Sequence, residues 1–209
     1  MIVLGVLVSG SGTNLQAIVH AIRDGELDAR IGVVVSNVPG APALERARAA
    51  GIECVVVDHK PFTDRGAFDA AVVEVLRSRG VELVVLAGFM RLITPLLLDA
   101  YPMRIVNVHP ALLPAFPGVH GQRQALEYGV RVTGCTVHFV DRGTDTGPII
   151  AQAAVPVHDG DDEETLTARI LVQEHQLLSR VLQWIAEGRV TVESGVGSAG
   201  GGRPRVRVR

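Results

Sequence analysis

Apolar residues in this chain come in short unbroken runs separated by longer amphipathic stretches. Ile2 to Val8 is the first run, and a run without alternation marks a strand covered on both faces. After Ser9-Gly10-Ser11-Gly12-Thr13-Asn14 the spacing changes, and Leu15, Ile18, Val19 and Ile22 recur at helical period until Asp24-Gly25. Ile31 to Val35 predicts a second strand, Ala41 to Ala50 an Ala/Arg/Glu helix closed by Gly51, and Cys54 to Val57 a third strand. Asp64 to Arg79 carries Phe68, Ala71, Val72, Val75 and Leu76 on one face and stops at Gly80, the pattern of an amphipathic helix. Val81 to Ala87 is the fourth strand, and Ile105-Val106 a short one that delivers Asn107 and His109 at its end.

Strands that are apolar throughout and alternate with helices predict an α/β fold: a Rossmann-like, mostly parallel sheet with right-handed crossovers. Gln122 to Tyr128 reads as a short helix, and Val132 to Val140 and Ile149 to Val155 as strands around a Gly/Thr-rich turn, the antiparallel or mixed part. That makes about seven strands flanked by helices. Asp161-Asp162-Glu163-Glu164 opens a long last helix through Ile185, with its acids at the positive end of the dipole. With no repeat and no linker before Gly195, one domain over 1–190 is expected, followed by a flexible Arg-rich extension over 191–209.

Composition narrows the partners. Hydrophobic residues make up 47% and charged residues 20% of the 209, as in an ordinary globular protein. The net charge is −2; without the Arg at 203, 205, 207 and 209, the 16 remaining basic and 22 acidic residues leave −6. Neither nucleic acid nor an anionic membrane is called for, and the Gly/Ser-led Arg-Val end reads as a frayed, solvated terminus. Cys54 and Cys135 lie far apart in apolar stretches without metal-ligand spacing, which predicts buried thiols in a reducing compartment. The opening run lacks a basic lead and is too short for a signal peptide or a membrane span, so the cytoplasm is expected.

In parallel α/β sheets ligands gather at the carboxyl ends of the strands, which singles out the loops after Val8, Val35, Ala87 and Val106. Asn107 and His109, two apart on an extended chain, face the same side. Pro110, Pro114, Pro117 and Gly118 break regular structure after His109 and stiffen the loop that contains them. An amide donor beside an imidazole suits a place where an oxygen gains negative charge during acyl transfer; a polar strand end whose His bonds backbone fits the spacing equally well. Ser9 to Asn14 could offer backbone N–H groups to a phosphate. It lacks the third glycine of a dinucleotide fingerprint, Ser36-Asn37 replace the acid that would end the second strand, and no Gly-Lys-Ser/Thr follows. A mononucleotide-sized phosphate on Gly12, Thr13 and Asn14 remains, beside a plain tight turn. Asp145, in Thr144-Asp145-Thr146-Gly147-Pro148, could orient His109, although its surroundings also suit an Asx turn. Phe89 to Ile93 could line a pocket for a flat ligand with an acidic tail; core packing with a surface Arg is the commoner meaning of such a stretch. Arg65, His120 and Glu174 carry still less on their own.

Together these motifs resemble the phosphoribosylglycinamide formyltransferase family. The likeness runs from Ile2 to about Arg189 through Ser-Gly-Ser-Gly-Thr-Asn-Leu-Gln-Ala-Ile (9–18), Glu-Arg-Ala-Arg (45–48), Leu-Ala-Gly-Phe-Met-Arg (86–91), Asn-Val-His-Pro-Ala-Leu-Leu-Pro (107–114), Val-His-Phe-Val (137–140), Asp-Thr-Gly-Pro (145–148) and Gln-Glu-His (173–175). The resemblance implies the formyltransferase fold and a catalytic set of Asn107, His109 and Asp145. It implies that Gly12, Thr13 and Asn14 hold the phosphate of glycinamide ribonucleotide, with Glu174 at the ribose. Arg65, Met90, Arg91, Leu92, Ile93 and Asn107 would contact 10-formyltetrahydrofolate as co-substrate, with Val140 and Asp141 flanking the pterin. No metal is implied; the partners are small molecules, and a homodimer is compatible. Ala111 and Ala115 stand where the family often has a Ser and a basic residue, and the Arg-Val end has no counterpart. Three rivals differ in what they require. A formyl-folate hydrolase would call for a regulatory domain before the strand at Ile2, a methionyl-tRNA formyltransferase for a basic C-terminal RNA-binding domain, and a non-catalytic nucleotide-binding module for indifference to His109.

Overall fold

The computed structural model of the protein describes residues 1–195 and 202–209. The chain divides into two compact units, Met1–Asn107 and Val108–Arg209.

The first unit is a parallel α/β layer. Its strands are β1 (Ile2–Val8), β2 (Ala29–Ser36), β3 (Cys54–Val56), β4 (Leu83–Leu86) and the start of β5 (Ile105–His109). β1 pairs parallel with β2 and β4, β2 with β3, and β4 with β5. The strand interiors are buried, Leu4, Val6, Leu7, Val33, Val34, Val84 and Val85 completely, which is why their sequences show no alternation. Helices α1 (Thr13–Arg23), α2 (Pro42–Ala49) and α3 (Arg65–Ser78) fill the connections. Asp64 caps α3 by accepting from the Ala67 N–H at 2.8 Å. A further short helix, α4 (Pro95–Ala100), was not foreseen; its six residues are fewer than two turns, too few to show a period. Pro95 at its first turn supplies a preset φ.

The second unit holds α5 (Gly121–Tyr128), the antiparallel pair β6 (Val132–Phe139) and β7 (Ile149–Pro156), and the long α6 (Glu163–Ala186). Asp162 caps α6 in a capping box with Thr165, and Glu163 and Glu164 lie in its first turn, where the dipole favours them. Leu166, Ile170, Leu178, Val181 and Leu182 form its fully buried face. Seven strands share one sheet in the order β3-β2-β1-β4-β5-β6-β7, the mostly parallel arrangement the runs predicted.

The described residues of the chain's end form strands where composition suggested a frayed terminus; residues 196–201 of the expected extension lie outside the described residues. β8 (Val190–Gly195) and β9 (Gly202–Val208) form a separate antiparallel pair. Alternating Arg and Val has the period of a strand: Val206 and Val208 stand opposite Val192 and Val190, while Arg205 faces Glu193 and Arg207 pairs with the Glu193 carboxylate at 2.9 Å. Charge count alone is blind to that period. Among the described residues no helix is long and apolar enough to cross a membrane.

Gly134 sits where β6 meets β7, and a Cβ there would lie 1.9 Å from the Ala153 carbonyl oxygen. Gly134→Ala is expected to cost about 3 kcal/mol or more, since backbone rather than a side-chain tip must give. Gly10, with nothing within 4 Å of a built Cβ, should tolerate Ala within about 0.5 kcal/mol. Urea unfolding of the two variants checks the contrast.

Candidate active site

The last residues of β5 bring an amide and an imidazole to a strand end, with Asn107 half-buried and His109 buried. The His109 ring lies between two acceptors. Its Nε2 is 2.8 Å from the Phe116 carbonyl oxygen and its Nδ1 is 3.4 Å from Asp145 Oδ2. A carbonyl can only accept, so Nε2 carries the hydrogen of the first contact. Asp145 reaches the ring from the turn between β6 and β7 with φ 53, a left-handed conformation uncommon outside glycine and enriched at functional sites. The same carboxylate accepts from the Gly118 N–H at 2.8 Å through Oδ2 and stands 3.7 Å from His138 Nε2 through Oδ1. It is therefore not an Asx-turn residue bonding its own backbone; it ties two histidines and the proline-rich loop together.

Three of these partners were not foreseen: His138, Phe116 and Gly118. β6 is buried from Thr133 to Phe139, so no periodicity distinguishes His138 from a packing residue. The His138 Nδ1 donates to the Phe139 carbonyl at 2.9 Å. Burial holds this ring's pKa below its ordinary 6.5, outweighing the opposing pull of the Phe139 carbonyl and Asp145. His138 is thus the neutral neighbour of the pair.

The loop after His109 is fixed by more than its prolines. Thr136 Oγ1 accepts from the Leu113 N–H at 3.0 Å and donates to the Ala111 carbonyl at 2.7 Å. Gln152 Nε2 donates to the Leu113 carbonyl at 2.9 Å and to Thr136 Oγ1 at 3.0 Å. Each buried polar group finds its partner on the adjacent strands, which holds the loop in register. At the other side of Asp145, a Cβ on Gly147 would lie 1.8 Å from the Phe139 carbonyl, so only glycine lets the turn come this close.

The remaining candidates of the second unit are a varied group. Val140 and Asp141 follow β6 and are half-buried. Asp141 Oδ1 accepts from the Gly143 N–H at 3.0 Å and from Thr146 Oγ1 at 2.7 Å, so it organises the turn that bears Asp145. Glu174 is buried on α6. The Cys135 thiol is pushed up to about 12, first by burial and then by the Glu174 charge, which removes it as a nucleophile at neutral pH. His120 sits at the start of α5 in a left-handed conformation, φ 60, as the N-cap position.

In the first unit the glycine loop and the segment after β4 are joined. Ser9 Oγ donates to Asn37 Oδ1 at 2.6 Å and accepts from the Met90 N–H at 2.8 Å, and the Ser9 N–H bonds the Gly88 carbonyl at 3.0 Å. Ser9 and Asn37 thus do more than their sequence context suggests, where Asn37 counts only as a missing acid. Gly12 takes φ 74 at the N-cap of α1, and Thr13 and Asn14 begin that helix. Met90 and Leu92 are 72% and 55% exposed, which is not core packing, whereas Arg91 and Ile93 are half-buried. The Arg91 guanidinium lies 4.6 Å from the Phe68 ring centre, and its buried Nε has no hydrogen-bond partner among the described residues. Arg65 is the exposed first residue of α3.

Comparison with known proteins gives a consistent result. Residues 3–182 match the family described as formyl transferase. The chain is 44% identical over 185 residues to the phosphoribosylglycinamide formyltransferase of Escherichia coli, covering 88% of this chain and 87% of that protein. It is 49% identical over 187 residues to the trifunctional purine biosynthetic protein adenosine-3 of Drosophila pseudoobscura, but spans only 14% of that protein's length. The crystal structure of glycinamide ribonucleotide transformylase 1 from Symbiobacterium toebii superposes with a TM-score of 0.94 at 53% identity, over 100% of this chain and 94% of that one.

His138 makes stability pH-dependent in a definite direction. Its folded pKa lies below the ordinary 6.5, as does that of His175, again through burial. The unfolded chain therefore binds protons first as pH falls, so stability is full above pH 6.5 and is lost on acidification below it. The urea midpoint should fall between pH 7 and pH 5, and fall less in His138→Gln; a midpoint that rises on acidification contradicts the assignment.

Proposed function

The chain belongs to the formyl transferase family, and on that premise we propose that it transfers the formyl group of 10-formyltetrahydrofolate to the amine of glycinamide ribonucleotide. The products are formylglycinamide ribonucleotide and tetrahydrofolate, and the step serves purine synthesis in the cytoplasm. The observation that carries this reading is the buried His109–Asp145 contact of 3.4 Å at the end of the strand bearing Asn107.

The neutral amine adds to the formyl carbon on N10 of the folate, and the carbonyl oxygen becomes an oxyanion. Asn107 and His109 hold that oxyanion. The formyl oxygen takes the place of the Phe116 carbonyl at Nε2, while Nδ1 stays on Asp145, so the ring keeps its orientation as it gains a ligand. The amine proton leaves through water and His109 and reaches N10 as the C–N bond breaks. Neither thiol serves as nucleophile here, since burial pushes both Cys54 and Cys135 up. The transfer is direct.

Binding roles accord with the family motifs. Gly12, Thr13 and Asn14 hold the ribonucleotide phosphate on backbone N–H groups and the start of α1, and Glu174 contacts the ribose. Arg65, Met90, Arg91, Leu92, Ile93 and Asn107 receive the folate, with Val140 and Asp141 beside the pterin. The exposure of Met90 and Leu92 and an Arg91 Nε without a partner among the described residues support this, since apolar area and a buried donor are both left for a ligand. Both partners are small molecules, and neither nucleic acid nor membrane enters the reaction.

The test is to mix the protein with both substrates and follow tetrahydrofolate release with and without the amine. Release that requires the amine, with formylated ribonucleotide as product, is the expected result; release that ignores it identifies a hydrolase instead. Asn107→Ala should lower kcat by about 10²–10³, the usual cost of one oxyanion donor.

A further inference from the structure

Away from these residues, the first unit holds a cavity of about 460 Å³ formed by α1, α2 and the start of β2. Its size lies within the ~300–1,000 Å³ typical of small-molecule sites. Ile22, Ile31 and Ile52 line it with aliphatic surface, Arg23, Arg30 and Arg46 line it with charge, and among the described residues no Asp or Glu lines it. Arg23 is already paired with Asp24. Arg30 and Arg46 make no ion pair with a carboxylate among the described residues, and Arg46 Nε donates instead to the Ser11 carbonyl at 2.8 Å. Two guanidinium groups without a carboxylate partner among the described residues, in a cavity also lined by aliphatic side chains, are complementary to one kind of ligand, a compact apolar body bearing a single anionic group.

The second observation is what α2 touches. The Ala43 N–H donates to the Gly10 carbonyl at 3.1 Å, a Cβ on Gly12 would lie 2.6 Å from the Ala43 Cβ, and Arg46 holds Ser11. The backbone of Gly10, Ser11 and Gly12 is therefore seated on α2, and Arg46 belongs both to that seat and to the cavity wall. An anion that engages Arg46 side-on, through Nε and one terminal nitrogen, displaces the Ser11 carbonyl from Nε, and a charged acceptor makes the stronger bond.

We propose that this cavity is a regulatory site for small organic anions with an apolar body, held by Arg30 and Arg46. Occupancy draws Arg46 off Ser11 and loosens the glycine loop, which raises KM for the ribonucleotide without changing kcat. The regulatory half rests on the assignment of the ribonucleotide phosphate to Gly12, Thr13 and Asn14; binding in the cavity does not.

The test uses octanoate on the full chain, with octanol and inorganic sulfate as arms that carry only the body or only the charge. Calorimetry should show octanoate binding at least tenfold more tightly than either, and Arg30→Ala should weaken it while leaving kcat and KM in its absence unchanged. Octanoate should raise KM for the ribonucleotide roughly two- to tenfold, the worth of one hydrogen bond. Arg46→Ala should raise KM by a similar factor by itself and abolish the response. Equal affinity for octanol, or binding indifferent to Arg30→Ala, overturns the site. Binding that leaves KM unmoved overturns the regulation. A protein that binds octanoate as described but transfers no formyl group would refute the proposed function and leave the cavity's ligand class standing.

Discussion

One half-buried carboxylate organises the reactive end of the second unit. Asp145 stands 3.4 Å from one histidine, 3.7 Å from another and 2.8 Å from the Gly118 N–H. Such a group is costly to bury alone, and each neighbour offsets part of that cost while being positioned by it. The turn that carries it is shaped to the same end. Asp145 takes a left-handed φ, Asp141 gathers the Gly143 N–H and the Thr146 hydroxyl, and Gly147 allows the backbone to pass under the Phe139 carbonyl. The histidines are distinguished by surroundings: burial keeps His138 neutral, while His109 lies between two acceptors, the Phe116 carbonyl and Asp145.

The proline loop illustrates how the scaffold serves that carboxylate. Pro110, Pro114 and Pro117 limit its backbone, yet prolines alone do not choose a path. Thr136 and Gln152 choose it by binding the Ala111 and Leu113 backbone from β6 and β7. The loop is thereby able to present the Phe116 carbonyl to His109 and the Gly118 N–H to Asp145 at once.

Much of this was legible before any coordinates, and the reasons differ by residue. The apolar runs at Ile2–Val8 and Val81–Ala87 announced buried parallel strands because nothing polar interrupts them. Asn107 and His109 were found because a strand end and a proline meet there. His138 was not, since every residue from Thr133 to Phe139 is buried and burial erases the alternation that would have set a polar residue apart. α4 escaped through brevity. At the Arg-Val end the alternation itself is visible in the sequence, but its partner strand, Val190–Gly195, is not marked by any local pattern. For Asp145 the residues alone left two readings open, and the choice between them required a distance between positions 36 apart in sequence, which no local pattern encodes. Family motifs supplied that link ahead of the geometry.

In the proposed reaction Asp145 acts through His109, as one unit. A double-mutant cycle on kcat/KM for formyl transfer, with Asp145→Asn, His109→Gln and both together, measures this directly. Asp145→Asn should be costly in the intact protein and nearly without further effect once His109 is replaced. Costs that simply multiply in the double variant would show the two residues working independently and would contradict their coupling.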